Sequence, residues 1–155
     1  MRDTRKALLW ILEILEKHKM KYRVSGGFAA RLYGSTRKLA DIDIELPRGS
    51  IKKIVPGIRK HIVHGPNGYK DKEWDCYAVE LVYKSQEIGL AEINRIFDKR
   101  ERKWVLFRAN FTKTARLKVY GKFINVISRE ELIAYKSKIR RSVDLQDIEF
   151  LKKEI

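Results

Sequence analysis

Asp41 and Asp43 stand one residue apart in the run Ala40-Asp-Ile-Asp-Ile-Glu-Leu46. Polar and apolar residues alternate along its whole length, which predicts a half-buried strand over 40–46, ended by Pro47. Successive strand side chains point to opposite faces, so Asp41, Asp43 and Glu45 share one face and Ile42, Ile44 and Leu46 the other. Two carboxylates so placed repel each other unless a cation sits between them. Hard oxygen ligands of this kind suit Mg²⁺ or Mn²⁺, which keep water and accept phosphate oxygens as further ligands. The same alternation also fits an ordinary amphipathic strand whose acids face water. What lies upstream separates the two readings.

Gly26-Gly27 follows a short strand predicted at Tyr22–Val24 and opens a helix predicted over Phe28–Tyr33. Glycines at such a turn let a ligand approach the backbone, and the free N–H groups of a helix start face an anion such as a triphosphate. A Gly-Gly turn alone is only a tight turn. The order is what specifies chemistry: strand, Gly-Gly, short helix, Arg-rich loop, then Asp-Ile-Asp on a strand. It sets a phosphate cradle beside a metal site, as phosphoryl or nucleotidyl transfer requires.

The remaining elements must frame that pair. Leu8, Ile11, Leu12 and Leu15 recur at helical spacing and predict an amphipathic helix over 5–19, capped by Asp3 or Thr4. Ser50 is expected to cap a short helix that Pro56-Gly57 interrupts, and His64-Gly-Pro-Asn-Gly68 reads as a turn-rich loop. Strands are expected at Tyr77–Lys84 and Glu87–Ile93, turning at Ser85-Gln86, and a hairpin at Arg116–Tyr120 and Lys122–Ile127. Ser128 with Glu131 forms a capping box for a helix from Arg129 to Arg140, and Val143–Leu151 add a last helical segment. Hairpin-grouped strands among helices predict one α+β domain spanning residues 1–155.

With these elements in place the sequence resembles the nucleotidyltransferase superfamily that shares the DNA polymerase β-like fold. The resemblance rests on Gly26-Gly27-Phe28-Ala29-Ala30-Arg31-Leu32-Tyr33-Gly34, Thr36-Arg37 and Ala40-Asp41-Ile42-Asp43-Ile44. Val119-Tyr120-Gly121, Ile127-Ser128, Glu131–Lys136, Arg141, Asp144, Asp147-Ile148 and Leu151 resemble the closing helix pair of its minimal, toxin-like and lincosamide-type members. The resemblance implies a short mixed sheet flanked by helices, with closing C-terminal helices. It implies that Asp41 and Asp43 ligate divalent ions and that Gly26 and Gly27 contact the nucleotide phosphates. It also implies a third carboxylate on a neighbouring strand, completing the metal site and deprotonating an acceptor hydroxyl. The family usually has Asp there; the candidates here are Glu92 and Glu80, and strand order favours Glu92. Glutamate's extra methylene moves the carboxylate, and misplacement near 1 Å can cost about 10²-fold in rate. The turn also reads Gly-Gly where many members have Gly-Ser.

Arg37 and Lys136 complete the expected nucleotide-binding set; Arg37 also reads as a solvated loop arginine, and Lys136 as an ion-pair partner of Asp144 or Asp147. Asp144 and Asp147 are expected to cap or to pair with Arg140 and Arg141 rather than to bind metal. Trp10, Trp74 and Trp104 read as core or rim. Trp104, among Arg100, Arg102, Lys103 and Arg108, is the best local candidate for a nucleic-acid contact. The expected reaction is metal-dependent transfer of a nucleoside monophosphate from a triphosphate to a hydroxyl, with Mg²⁺ or Mn²⁺ as cofactor. Two alternatives stand beside it: a catalytically silent domain of this fold that binds RNA, and a toxin-like partner of a two-component system.

Composition bounds these readings. The net charge of +15 favours a polyanionic partner, a nucleoside triphosphate or tRNA and other nucleic acid, although Lys, Arg and Glu in abundance also mark heat-adapted proteins. A single cysteine, Cys76, excludes an internal disulfide, and His18, His61 and His64 have no zinc spacing. Glu13, Glu16 and Lys17 break up the first apolar run, so neither a signal peptide nor a membrane span is expected, and the expected location is cytoplasmic.

Overall fold

A computed structural model of the chain describes residues 1–153. Helix α1 (Thr4–Lys17) begins where the Asp3 side chain accepts from the Lys6 N–H at 2.9 Å, and it buries Leu8, Ile11, Leu12 and Leu15 completely. Strand β1 (Arg23–Ser25) leads directly into α2 (Gly26–Leu32), so both glycines are inside the helix rather than ahead of it. Strand β2 (Ile42–Glu45) follows, with Ile42 and Ile44 in the core. Helix α3 (Ser50–Ile58) starts one residue earlier than expected, with Gly49 and not Ser50 at its N-cap, and runs through Pro56 instead of being interrupted there; a turn of 3₁₀ helix at Arg59–His61 follows it.

The segment read as a turn-rich loop is instead strand β3 (Ile62–Lys70). Its pairing with β4 (Trp74–Tyr83) is broken by irregularities on both sides of His64, where Gly65 and Pro66 fall. Turn residues within an irregular edge strand thus produced the loop signal. Strand β5 (Gln86–Asp98) is longer than expected, and β6 (Lys103–Leu106), which the sequence did not reveal, pairs with its far half. The hairpin of β7 (Ala115–Val119) and β8 (Lys122–Val126), then α4 (Arg129–Ile139) and α5 (Ser142–Lys153), complete the described chain. Ser128 caps α4 by accepting from the Glu131 N–H at 3.2 Å. The Glu131 carboxylate does not close the box: it pairs with buried Arg23, which also binds Glu45 at 2.7 Å.

All strands belong to one mixed sheet in the order β3-β4-β5-β2-β1-β8-β7, with β6 paired to β5. Strand β2 lies at its centre, parallel to β5 and antiparallel to β1. One face packs the apolar side chains of β2, β4 and β5 (Ile42, Ile44, Leu81, Ile88 and Leu90) into the main core that also holds α1 and α3. The other face opens into a cleft whose walls include Tyr135, Lys136, Arg141 and Val143 of the closing helices and the turn between them. No helix among the described residues is long and apolar enough to cross a membrane.

Candidate active site

Asp43 occupies the cleft face of β2, with Ser25 opposite it on β1 and Gly89 beside it on β5. Asp41 immediately precedes the strand and lines the same cleft, whose volume is about 730 Å³. Burial, reinforced by the neighbouring Asp41 charge, pushes the Asp43 carboxyl up to about 8, although Lys136 and Arg141 pull the other way. Burial also raises Asp41, and the charges of Glu87 and Glu80 add to the effect. Two acids are therefore held together with too little protein cation to neutralise them.

Gly26 has φ +62°, and a Cβ there would clash with Asp43 Oδ2; only glycine leaves the carboxylate where it is. A Cβ on Gly27 would meet Arg37 Nη2 at 2.6 Å, so the guanidinium lies directly over the start of α2. Arg37 is far from a free loop residue. Asp147 grips it through Nε at 3.0 Å and Nη2 at 2.9 Å, a two-point hold that fixes the plane of the group. Lys136 is 1% exposed and lies between Asp144 at 2.9 Å and Asp147 at 3.1 Å. Its ammonium is committed to that ion-pair network, which is the alternative to the nucleotide contact expected for it. Asp144 also holds Arg141 at 2.8 Å, and Arg141 lies 4.7 Å over the Trp74 ring at the cleft wall.

Glu92 requires a correction. It follows Ala91 in β5 and so points to the face opposite Asp43, where its two oxygens accept from the Gly49 and Ile51 N–H groups at 2.8 Å each. It caps α3, which has no side-chain cap of its own, and the helix dipole favours a carboxylate there. A one-residue displacement along a strand changes the face, so strand order alone could not separate an acid in the site from an acid behind it. Glu80 stands on the correct face: it pairs with Gly89 on β4, two strands from Asp43, with a residue lacking a side chain between them.

Three further cleft residues escaped selection. Ser25 is 2% exposed, lines the cleft, and its hydroxyl has no hydrogen-bond partner. Glu87 and Arg141 also line it. The period-two pattern from Asp43 through its strand partners is the signal that would have found Ser25 and Glu87 and preferred Glu80 to Glu92, but it needs the register. Trp104 is packed against Phe97, with Lys70 and Arg95 over its ring at 5.1 and 5.5 Å, as befits a rim residue.

Solved structures share this arrangement of elements. A Thermotoga maritima protein described as a nucleotidyltransferase superposes with a TM-score of 0.73 at 17% identity, over 99% of this chain and 98% of its own. The chain has the nucleotidyltransferase fold. The lincosamide antibiotic adenylyltransferase LnuA, solved with lincomycin bound, is similar over the full length of both chains, with a TM-score of 0.65 and 20% identity. ANT(2")-Ia, solved with adenylyl-2"-tobramycin, matches over 96% of this chain and 87% of its own, at a TM-score of 0.61 and 13% identity. No protein-family model and no curated protein matches the sequence. The α+β architecture, the central strand carrying Asp43 and the two closing helices thus coincide with the nucleotidyltransferase fold anticipated from the motifs.

The residues present fit a divalent cation. A Cβ on Gly89 would come within 3.6 Å of Asp43 Oδ1 and 4.0 Å of Asp41 Oδ2, so the space above this glycine borders both carboxylates. Among the described residues no group of three acidic, histidine or cysteine side chains is drawn together as a ready cage. A pair of carboxylates is nonetheless enough for Mg²⁺, which fills its other positions with water and substrate phosphate.

Proposed function

We propose that the chain is a single nucleotidyltransferase domain that moves a nucleoside monophosphate from a triphosphate to an acceptor hydroxyl, releasing pyrophosphate. The observation that carries this reading is the uncompensated Asp41–Asp43 pair abutting Gly26, within a fold shared with adenylyltransferases. Asp41 and Asp43 would hold Mg²⁺ or Mn²⁺. The bound ion would supply charge to the phosphoryl oxygens and fix their orientation. The start of α2 at Gly26 and Gly27 would receive the β- and γ-phosphates, and Arg37, steadied by Asp147, would neutralise them. Ser25 offers one more donor at this end. Glu80 is the carboxylate best situated to accept the proton of the acceptor hydroxyl, taking the role once expected of Glu92. Lys136 acts through the network, holding Asp144 and Asp147 in place. An intracellular, cytoplasmic site of action follows from the triphosphate substrate.

Incubation with Mg²⁺ or Mn²⁺, α-labelled triphosphates, bulk tRNA and small hydroxyl compounds tests this, with Asp43→Ala as the control. Label passing to an acceptor in the wild type and not in the variant supports transfer. Equal label in both removes the basis for it.

The displacement of Glu92 favours one second reading, a silent domain of this fold that binds RNA through its basic surface. It predicts salt-sensitive tRNA binding that Asp43→Ala leaves unchanged, with no transfer by either protein.

A further inference from the structure

The cleft continues well beyond the acids, and its two ends differ in chemistry. On the cleft face, β2, β5, β4 and β3 present side chains in rows fixed by their register. The first row is Asp43, Gly89, Glu80 and His64; the next is Glu45, Ala91, Ala78 and Asn67; the third is Ile93, Cys76 and Tyr69. At roughly 3.3 Å per residue the third row lies about 13 Å along the strand direction from Asp43. The alanines of the middle row leave a shallow floor, and Trp74, Ile139 and Val143 stand around it. The acids that line the cleft extend no further than Glu45, and Glu45 is buried against Arg23.

In-line transfer decides what this shelf faces. The attacking oxygen and the leaving pyrophosphate lie on opposite sides of the α-phosphorus. Gly26, Gly27, Arg37 and the unpartnered Ser25 hydroxyl all stand on the β1 side of Asp43, where the phosphates belong. The acceptor must therefore approach from the β5–β4–β3 side, across Gly89 and past Glu80. Resting on the transfer reading above, we infer that the Ala91–Ala78–Ile93 shelf is the acceptor subsite. It takes a small neutral compound whose hydroxyl reaches Glu80 and whose apolar ring or chain lies on the alanine floor. A polycation finds on the shelf only Glu45, already held by Arg23, and meets Arg141 at its wall. A nucleic-acid strand finds no basic track along it, and its phosphates would meet alanine, isoleucine and cysteine instead.

Phenyl β-D-glucoside, neutral and hydroxyl-rich with one apolar ring, is a suitable probe. Its binding to the intact chain is followed by calorimetry, with and without saturating Mg²⁺ and ATP. Binding that persists with the nucleotide bound, and that weakens at least tenfold in Ala91→Phe while the thermal midpoint is kept, supports the subsite. Should Ala91→Phe fail to fold, the milder Ile93→Ser carries the same expectation of weakened binding. Undiminished binding in a folded variant overturns the inference. So does displacement of the glucoside by Mg²⁺ and ATP, which would make the shelf the nucleobase site, or by spermine or tRNA. Glucoside binding with no nucleotide binding at all leaves the shelf standing and overturns nucleotidyl transfer instead.

Discussion

One pair of aspartates lines this cleft and a second lies buried against Lys136 and Arg141 of its wall, and their environments drive them in opposite directions. Asp144 and Asp147 on α5 are fully buried, yet their carboxyls are held below the usual carboxylate range. Burial acts to raise both, but hydrogen bonds and charge from Arg141 and Lys136 outweigh it at Asp144, and those from Arg37 and Lys136 do so at Asp147. Asp41 and Asp43 are only half-buried, at the floor of the cleft, but they have no direct cationic partners, and both are raised. On the transfer proposal, the set left to its own repulsion would be where a divalent cation binds, beside a second set already paired with three cations.

The strongest way to break this contrast is to unpair the paired acids. Lys136→Met leaves Asp144 and Asp147 with only their arginines and removes the buried charged hydrogen bond to Asp144, so it should cost about 1.5–3 kcal/mol. Chemical denaturation would show it as a lower midpoint with an unchanged slope. A loss under 1 kcal/mol would mean that the network is not the structural element described above.

Gly26→Ala attacks the other pair without touching a charge. Its new methyl group clashes with Asp43 Oδ2 at a positive φ, so the carboxylate must move. Transfer should fall at least about 10²-fold, as a misplacement near 1 Å commonly costs. Unaltered transfer in a folded Gly26→Ala protein would remove Asp43 from the reacting geometry.

Removing the unpaired charge should do the opposite of removing the paired one. With Asp43 raised to about 8, the native state keeps a proton that the unfolded chain has lost, from about pH 4 upward. The unfolded state therefore binds fewer protons, and this group makes stability fall as pH rises from about 4 to about 8. Asp43→Asn removes that dependence. At pH 9, without divalent cations, it should be more stable than the wild type by about 1 kcal/mol or more, roughly 2–4 °C in thermal midpoint. The gain should shrink towards pH 4. Mg²⁺ should stabilise the wild type increasingly as pH passes through about 8, because binding must expel that proton, and should have no such effect on Asp43→Asn. A destabilised Asn variant at pH 9 would mean that Asp43 is a paired acid after all.

How far the sequence could carry this contrast follows from what each part depends on. The strand carrying Asp43 and the capped α1 and α4 are local signals, set by alternation and cap chemistry within a few residues, and each was legible; the passage at Gly26-Gly27 was legible too, although the helix already starts at Gly26 and Asp41 falls just before its strand. The neutralised pair was half legible: spacing put Asp144 and Asp147 on one helix face, but Arg37 lies 110 residues from the acid that holds it. Strand β6 and the irregular β3 were obscured because charged residues and turn formers mask strand periodicity at sheet edges. Glu92 and Glu80 could not be told apart because the choice between faces is a matter of register, and register is fixed by partners distant in sequence.

That ambiguity sets the smallest effect and the sharpest discrimination. Glu92→Gln keeps the size of the side chain and weakens only the charge-assisted cap on Gly49 and Ile51, so it should cost about 1 kcal/mol in stability. The Mg²⁺-dependent stabilisation measured at pH 9 should remain at its wild-type value, since the carboxylate faces α3 and not the cleft. Glu80→Gln should give the reverse, with wild-type stability in the absence of metal and transfer lowered as the acceptor loses its base. If Glu92→Gln instead abolished the Mg²⁺ effect, the third ligand would have to come from behind the sheet. The geometry excludes that without a shift of β5 by one residue.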